Sequence, residues 1–179
     1  MKRKREKGIT LVALTITIIV LSIIASITIN TGGNIIESAK LENLKTNMLL
    51  IQAKTKEYVE EVNFKKGPVD TAKIETIRNE VYVVKGGLVF YESEEVPKEV
   101  KDLIFKVSNE TGEQYYYVSR SALDKAGLSK VEEGEDNGYY VVKFDEENIT
   151  VEVYNTMGFE NNGQNNYSLT QLEQIEEVK

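Results

Sequence analysis

Residues 9–29 read ITLVALTITIIVLSIIASITI, a stretch of 21 residues without a charge, a glycine or a proline. As a helix the stretch would be about 31 Å long, which matches the roughly 30 Å hydrocarbon core of a bilayer. It is far too long for one strand, and no face of it is polar enough for a surface helix. In lipid, a helix satisfies every backbone polar group internally. The stretch therefore predicts a transmembrane helix.

The charges that flank this stretch indicate its orientation. Five of the first eight side chains are basic and one is acidic, whereas the first basic residue after the stretch is Lys40. Basic residues are retained on the cytoplasmic side of a membrane. We therefore expect a single-pass protein of the cell membrane, with residues 1–8 as a cytoplasmic basic leader and an extracellular C-terminal domain. A cleaved secretory signal is the alternative, although its apolar core normally has about 7–15 residues.

The remaining composition excludes several classes of function. The net charge is −7 over the whole chain and −11 without the first eight residues. A domain this acidic repels phosphate backbones, so we expect no nucleic-acid partner. The sequence contains no cysteine and no histidine, which excludes disulfides, Ser-His-Asp triads and Cys-His pairs. We expect no enzyme, no catalytic residue and no cofactor.

Acidic side chains cluster at residues 132–137 and 145–148. In the absence of histidine and cysteine, such clusters would favour calcium or magnesium. Neither cluster has the alternating spacing of oxygen ligands that calcium-binding loops use. We interpret both as solvated turns and expect no metal site.

The junction between the leader and the apolar stretch reads KGITLVAL, residues 7–14. It resembles the N-terminal segment of type IV prepilins and type II secretion pseudopilins, in which a short basic leader ends in glycine and a long apolar helix follows. The resemblance implies cleavage after Gly8 by a prepilin peptidase and methylation of the new terminus at Ile9. It also implies assembly with other pilin-like subunits through a membrane helix that starts with Leu11, Val12, Ala13 and Leu14.

One position departs from the pattern of that family. The family usually has a glutamate five residues after the cleavage site, and this chain has Ala13 there. An unpaired charge in lipid costs several kcal/mol. The resemblance therefore implies that the family's glutamate pairs with the new amino terminus of a neighbouring subunit, and Ala13 cannot form that pair. The departure favours a minor pilin, a tip or initiating subunit, or a pilin-like protein that stays in the membrane, over a major pilin.

A second helical segment follows the apolar stretch, over residues 30–66. Gly32 and Gly33 each weaken a helix by about 1 kcal/mol relative to alanine, so we expect a kink or an unwound turn there. Leu49 and Leu50 lie off the apolar stripe of this segment; we expect them to add apolar surface to a core helix or to contact a neighbouring subunit. The helix should end near Phe64. The stripe, at steps of three and four residues, consists of Leu41, Leu44, Met48, Ile51, Thr55, Tyr58, Val59 and Val62.

Residues 67–159 read as an extracellular α+β domain. Two β-hairpins are predicted, at residues 81–91 around Gly86-Gly87 and at residues 138–154 around the turn 145–148. A strand is predicted at residues 114–119, and short helices at 97–105 and 121–128 with Ser119 or Ser121 as cap. The predicted fold class is therefore α+β, a long N-terminal helix whose amphipathic second half packs on a small antiparallel sheet, in the manner of pilins.

Residues 160–179 complete the chain. Residues 160–166 are rich in asparagine and glycine and predict a loop. Ser168 and Gln171 form a capping-box pattern, which predicts a short C-terminal helix with Leu169, Leu172, Ile175 and Val178 on one side.

Tyrosines cluster at positions 115, 116, 117, 139 and 140. On strands, alternate side chains point to opposite faces. We expect alternate tyrosines to pack in the core and the others to face water, and the alternative is an adhesive or glycan-binding surface.

These patterns leave two hypotheses of function. The first is a minor pilin or pseudopilin-like subunit of a type IV filament or type II secretion-like assembly. The second is a monomeric, membrane-anchored extracellular module for binding or adhesion that does not polymerise, in which Gly8 has no processing role. An anchored hydrolase is disfavoured by the composition.

Overall fold

The structure is a computed structural model that describes residues 11–67, 71–108 and 114–175. Side chains are described for residues 35–67, 73–108 and 114–175. The elements follow in this order: α1 (Leu11–Lys66), α2 (Thr71–Arg78), a π-helical segment (Asn79–Lys85), β1 (Leu88–Phe90), α3 (Lys98–Val107), β2 (Tyr115–Val118), α4 (Arg120–Lys125), β3 (Tyr140–Asp145), β4 (Thr150–Asn161), β5 (Gln164–Ser168) and α5 (Leu169–Glu173).

The five strands form one antiparallel sheet in the order β1-β2-β3-β4-β5, so each strand pairs with its neighbours in sequence. One face of the sheet packs on α1, through side chains such as Tyr116, Val142 and Val153. The opposite face packs on α3, where Val100 and Leu103 contact the strands. The predicted α+β class, with a long helix packed on an antiparallel sheet, is confirmed.

The apolar stripe of α1 lies against the sheet as its spacing predicts. Met48, Val59 and Val62 are fully buried, Thr55 is buried with them, and Leu44 is partly buried at the edge of the same cluster. The helix ends at Lys66, close to the predicted position. Gly67 follows with a φ of +32°, a left-handed conformation that glycine adopts readily after a helix.

The helix runs without interruption through Gly32 and Gly33, so the predicted unwound turn is wrong. Two glycines weaken the helix by only about 2 kcal/mol together. Opening the helix would forfeit several backbone hydrogen bonds and require a second nucleation event. One continuous helix therefore joins the apolar half of α1 to the half that packs on the sheet.

The predicted hairpin at residues 81–91 is wrong in its first half. Residues 79–85 continue α2 as a π-helical segment, and only Leu88–Phe90 is a strand. Val81 and Tyr82 are buried next to each other while Val83 and Val84 are exposed, a grouping that a strand's alternation does not allow. Gly86 is required for close packing rather than for a primed turn, because a Cβ there would lie 3.0 Å from the Tyr58 ring.

The other predictions for residues 67–159 are largely confirmed. β3 and β4 form a hairpin around residues 146–149, β2 occupies residues 115–118, and α3 follows Pro97. Ser119, rather than Ser121, caps α4 by accepting a hydrogen bond from the backbone N–H of Ala122.

The predicted loop at residues 160–166 is wrong. β4 extends to Asn161, the chain turns at Asn162-Gly163, and β5 returns as a paired strand. Both turn residues have positive φ, 53° and 75°, as a two-residue hairpin turn requires. The capping box at Ser168 and Gln171 is confirmed and starts α5, which buries Leu169 and Leu172 against the core. Val178 lies outside the described residues.

Candidate functional site

The residues predicted to govern processing and insertion lie at the start of the chain. Gly8 and Ile9 are outside the described residues. The beginning of α1 contains Leu11, Val12, Ala13 and Leu14. These four residues precede residue 35, from which side chains are described. Among the residues whose side chains are described, no helix is long and apolar enough to cross a bilayer. The predicted span, residues 9–29, lies outside that set.

The face of α1 that points away from the sheet carries large apolar side chains. At 100° per residue, Ile35, Leu49, Leu50 and Phe64 lie within about 100° of one another and about 180° from the centre of the buried stripe. Their exposures are 62%, 44%, 45% and 89%. We call these four residues the outward face of α1. Ile35 and Phe64 each lie about 21 Å along the helix from the leucines, so the adjacent pair Leu49 and Leu50 is the candidate contact surface on this face.

Acidic side chains lie among the four residues of the outward face, within the same arc of the helix. Glu42, Glu57 and Glu60 lie at neighbouring helical positions, and Glu42 and Glu57 pair with Lys45 and Lys54 on the same helix. Ion pairs this exposed contribute little to stability. The face therefore combines apolar and acidic side chains, and a molecule that covers it must accommodate these carboxylates as well as the leucines.

A second cluster forms around Glu146, at the turn between β3 and β4. Arg78 donates to both carboxylate oxygens at 2.8 Å, and the Tyr82 hydroxyl donates at 2.9 Å. The ammonium group of Lys66 also pairs with this carboxylate, and Asn63 donates to the Glu146 carbonyl at 2.6 Å. The cluster fastens the end of α1 and helix α2 to the turn of the sheet.

The electrostatics of this cluster suit a structural role. Burial acts to raise the pKa of Glu146, but the hydrogen bonds from Arg78, Lys66 and Tyr82 outweigh it and lower the pKa to about 2. The same ion pair raises the pKa of Arg78, and burial raises the pKa of Tyr82. A carboxylate held this firmly in its ionised form is a poor general base. The sequence carries no signal for this cluster, because nothing in the spacing of Arg78 and Glu146 indicates that they meet.

The two acidic clusters act as turns in the structure. Asp145 accepts hydrogen bonds from the backbone N–H groups of Glu147 and Asn148. Glu133 accepts a hydrogen bond from the Tyr117 hydroxyl at 3.1 Å, and burial raises its pKa. Within residues 11–67, 71–108 and 114–175, no three acidic side chains converge in a way that would hold a metal ion.

The prediction that alternate tyrosines of β2 face water is wrong. Tyr115, Tyr116 and Tyr117 are all buried, Tyr116 on the α1 side of the sheet and the other two on the α3 side. The sheet is covered on both faces at this point, which a single strand sequence does not reveal. These three tyrosines are core residues and do not form an adhesive surface.

A cavity of about 240 Å³ opens beside α1, between the helix, the turn at residues 136–137 and the bend in β4 at residues 157–159. Asparagines dominate its polar wall, and Leu44 and Phe159 contribute apolar surface. The sequence carried no signal for this cavity, because the residues come from three separate segments. We call it the amide cavity.

Comparison with known proteins adds no relationship. The chain matches no protein-family model, no curated protein and no solved structure.

Proposed function

We propose that this protein is a minor pilin or pseudopilin-like subunit of a type IV filament or type II secretion-like assembly. In this proposal it is processed after Gly8, inserted in the cell membrane through residues 9–29 and joined there to other pilin-like subunits. The observation that carries the proposal is the continuous helix Leu11–Lys66, which contains most of the apolar stretch and also packs on the sheet.

The length of α1 allows its first half to insert in the membrane while its second half packs on the sheet. A helix of 56 residues is about 84 Å long, and its second half packs on the sheet. An uninterrupted helix joins an anchor to an outer domain without a flexible linker, so the orientation of one fixes that of the other. A subunit that must present its domain at a set position in an assembly needs such a connection.

The outward face of α1 supports contact with neighbouring subunits. Leu49 and Leu50 lie on the same helix as the membrane segment, and neither contributes to the described core. Because each leucine is already more than half buried, covering the remainder of both against a neighbour would contribute about 1.5–3 kcal/mol before the cost of association. Ala13, which lacks the family's carboxylate, fits a minor position in the assembly. We propose no catalytic activity and no nucleic-acid partner.

One observation favours the alternative, a monomeric anchored module for binding. The amide cavity offers room for a small molecule, and a binding module needs no neighbouring subunits. The two functions differ in one early step, because only the pilin-like subunit depends on cleavage after Gly8.

The test is the intact mass of the protein extracted from membranes of cells that also produce a prepilin peptidase. We expect a chain that begins at Ile9 and carries one additional methyl group. Gly8→Leu should leave the leader attached, because a bulky residue replaces the one preceding the cleavage site. Gly33→Leu, which changes another glycine of the same region, is the matched control and should be processed normally.

A full-length chain in all three samples would contradict the proposed processing. A full-length chain that still fractionates with membranes would leave the anchored binding module as the remaining function.

A further inference from the structure

The amide cavity lies between α1 and the bend of β4. Its helical wall includes Asn43 and Asn47, and its opposite wall includes Phe159 on the extended part of β4. At about 240 Å³ it exceeds many times the roughly 10–15 Å³ that one water requires. Its size therefore suits a small organic molecule.

The wall of the cavity is held in place by hydrogen bonds. Asn155 is buried and donates to the carbonyl of Asn137 at 3.0 Å. Its side-chain oxygen accepts from the backbone N–H groups of Met157 and Gly158 at 3.0 and 3.2 Å. These bonds fix the bend of β4 that forms one side of the cavity. A site that is formed in advance loses little ordering entropy when a ligand binds.

Most of the polar side chains that line the cavity are amides. Within the described part of the chain, the side chain of Asn43 has no hydrogen-bond partner, and Asn47 makes one long contact of 3.4 Å with the Tyr140 hydroxyl. An amide presents both a donor and an acceptor, which matches a hydroxyl group that also donates and accepts. Leu44, on the same helix as these amides, and Phe159, on β4, supply apolar surface to the cavity.

The charges at the cavity disfavour an ionic ligand. Lys40 and Asp136 both line it, so one positive and one negative charge offset each other. The chain beyond its first eight residues has a net charge of −11, which repels anions. One carboxylate beside a lysine is also a poor cation site. A neutral ligand fits this balance.

We propose that the amide cavity binds a neutral monosaccharide, whose hydroxyl groups would bond to Asn43 and Asn47 while its C–H face packs on Phe159. The proposal does not depend on processing or assembly, because every residue it uses lies in the extracellular domain and the adjoining part of α1.

Saturation-transfer NMR on the full chain in lipid nanodiscs, prepared without sugar-based detergent, would test this proposal. The probes are glucose, galactose, mannose and N-acetylglucosamine, with glutamate and arginine as charged comparisons. We expect saturable binding of at least one sugar and of neither charged probe. Asn43→Ala should weaken that binding about fivefold to tenfold, as expected for the loss of one or two hydrogen bonds.

Three further variants separate the outcomes. Asn43→Trp, at an exposed helical position, should block the cavity and abolish binding without unfolding the domain. Asn79→Ala, an exposed asparagine on a different helical segment, is the matched control and should bind normally, as should Lys40→Ala. The proposal would be overturned if no sugar in the panel binds. It would also be overturned if Asn43→Trp binds like the unmodified chain, or if Lys40→Ala alone abolishes binding.

Discussion

The two faces of α1 carry similar residues and have opposite environments. The inner face places Met48, Val59 and Val62 in the core, where none of them is accessible to solvent. The outward face places Leu49 and Leu50 in water, each with nearly half of its surface exposed. Hydrophobic side chains on the inner face stabilise this domain, whereas those on the outward face can contribute only when another molecule covers them. One face of α1 therefore stabilises the folded domain, and the other is available for association with another molecule.

The largest expected difference between the faces is in stability. Met48→Ala removes a fully buried side chain and should lower the free energy of unfolding by about 3 kcal/mol, through lost burial and the cavity left behind. Leu49→Ala, at the adjacent position on the outward face, should change it by less than about 0.5 kcal/mol. Urea unfolding of the full chain in detergent micelles, followed by tyrosine circular dichroism, measures both values. Equal losses at the two positions would show that the faces do not differ in this way.

A smaller effect is expected at the end of the inner face, where Glu146 holds Lys66 and Arg78. The pKa of Glu146 falls from an ordinary 4.5 to about 2 in the folded chain. A lowered folded-state pKa stabilises the protein above the unfolded pKa, and this contribution is lost as the pH falls from 4.5 towards 2. Glu146→Gln should therefore cost about 2–3 kcal/mol at pH 7.

The same variant should cost much less at pH 2.5, because the carboxyl of the unfolded unmodified chain is then protonated and folding must release its proton against the low pH. Urea midpoints of Glu146→Gln and the unmodified chain, measured from pH 7 to pH 2.5, should converge on acidification. Glu147→Gln, on the same turn but exposed, is the matched control. A difference that stays constant with pH would contradict the role assigned to Glu146.

The inner face was predictable because its information is local. The stripe from Leu41 to Val62 repeats at helical spacing, and burial follows from that periodicity alone. The run at residues 81–84 is different, since four apolar residues in succession fit a buried strand and a helical segment equally well. The choice is made by distant contacts, among them the bond from Tyr82 to Glu146 and the close approach of Gly86 to Tyr58.

Two errors have contrasting causes. The turn Asn162-Gly163 carried a strong hairpin signal, but the polar composition around it resembled a loop, so β5 was missed. The burial of Tyr115 and Tyr117 had no local signal, because it depends on α3 covering the second face of the sheet. Composition misled in the first case, and tertiary structure decided in the second.

The candidate sites divide in the same manner. Leu49 and Leu50 were identified from their positions on the helix, because a residue off the stripe of a packed helix must face outward. The Glu146 cluster and the amide cavity could not be identified, since each joins residues from separate segments of the chain.

The most direct test of the proposed assembly is photo-crosslinking from the two surfaces in intact membranes. The photoreactive residue p-benzoylphenylalanine would replace Leu50 in one chain and Lys101, an exposed residue of α3, in another. We predict that position 50 crosslinks to α1 of a second copy or to the long helix of another pilin-like subunit, identified by mass spectrometry, and that position 101 does not. Equal crosslinking at both positions, or none at position 50, would contradict the assignment of the outward face to assembly.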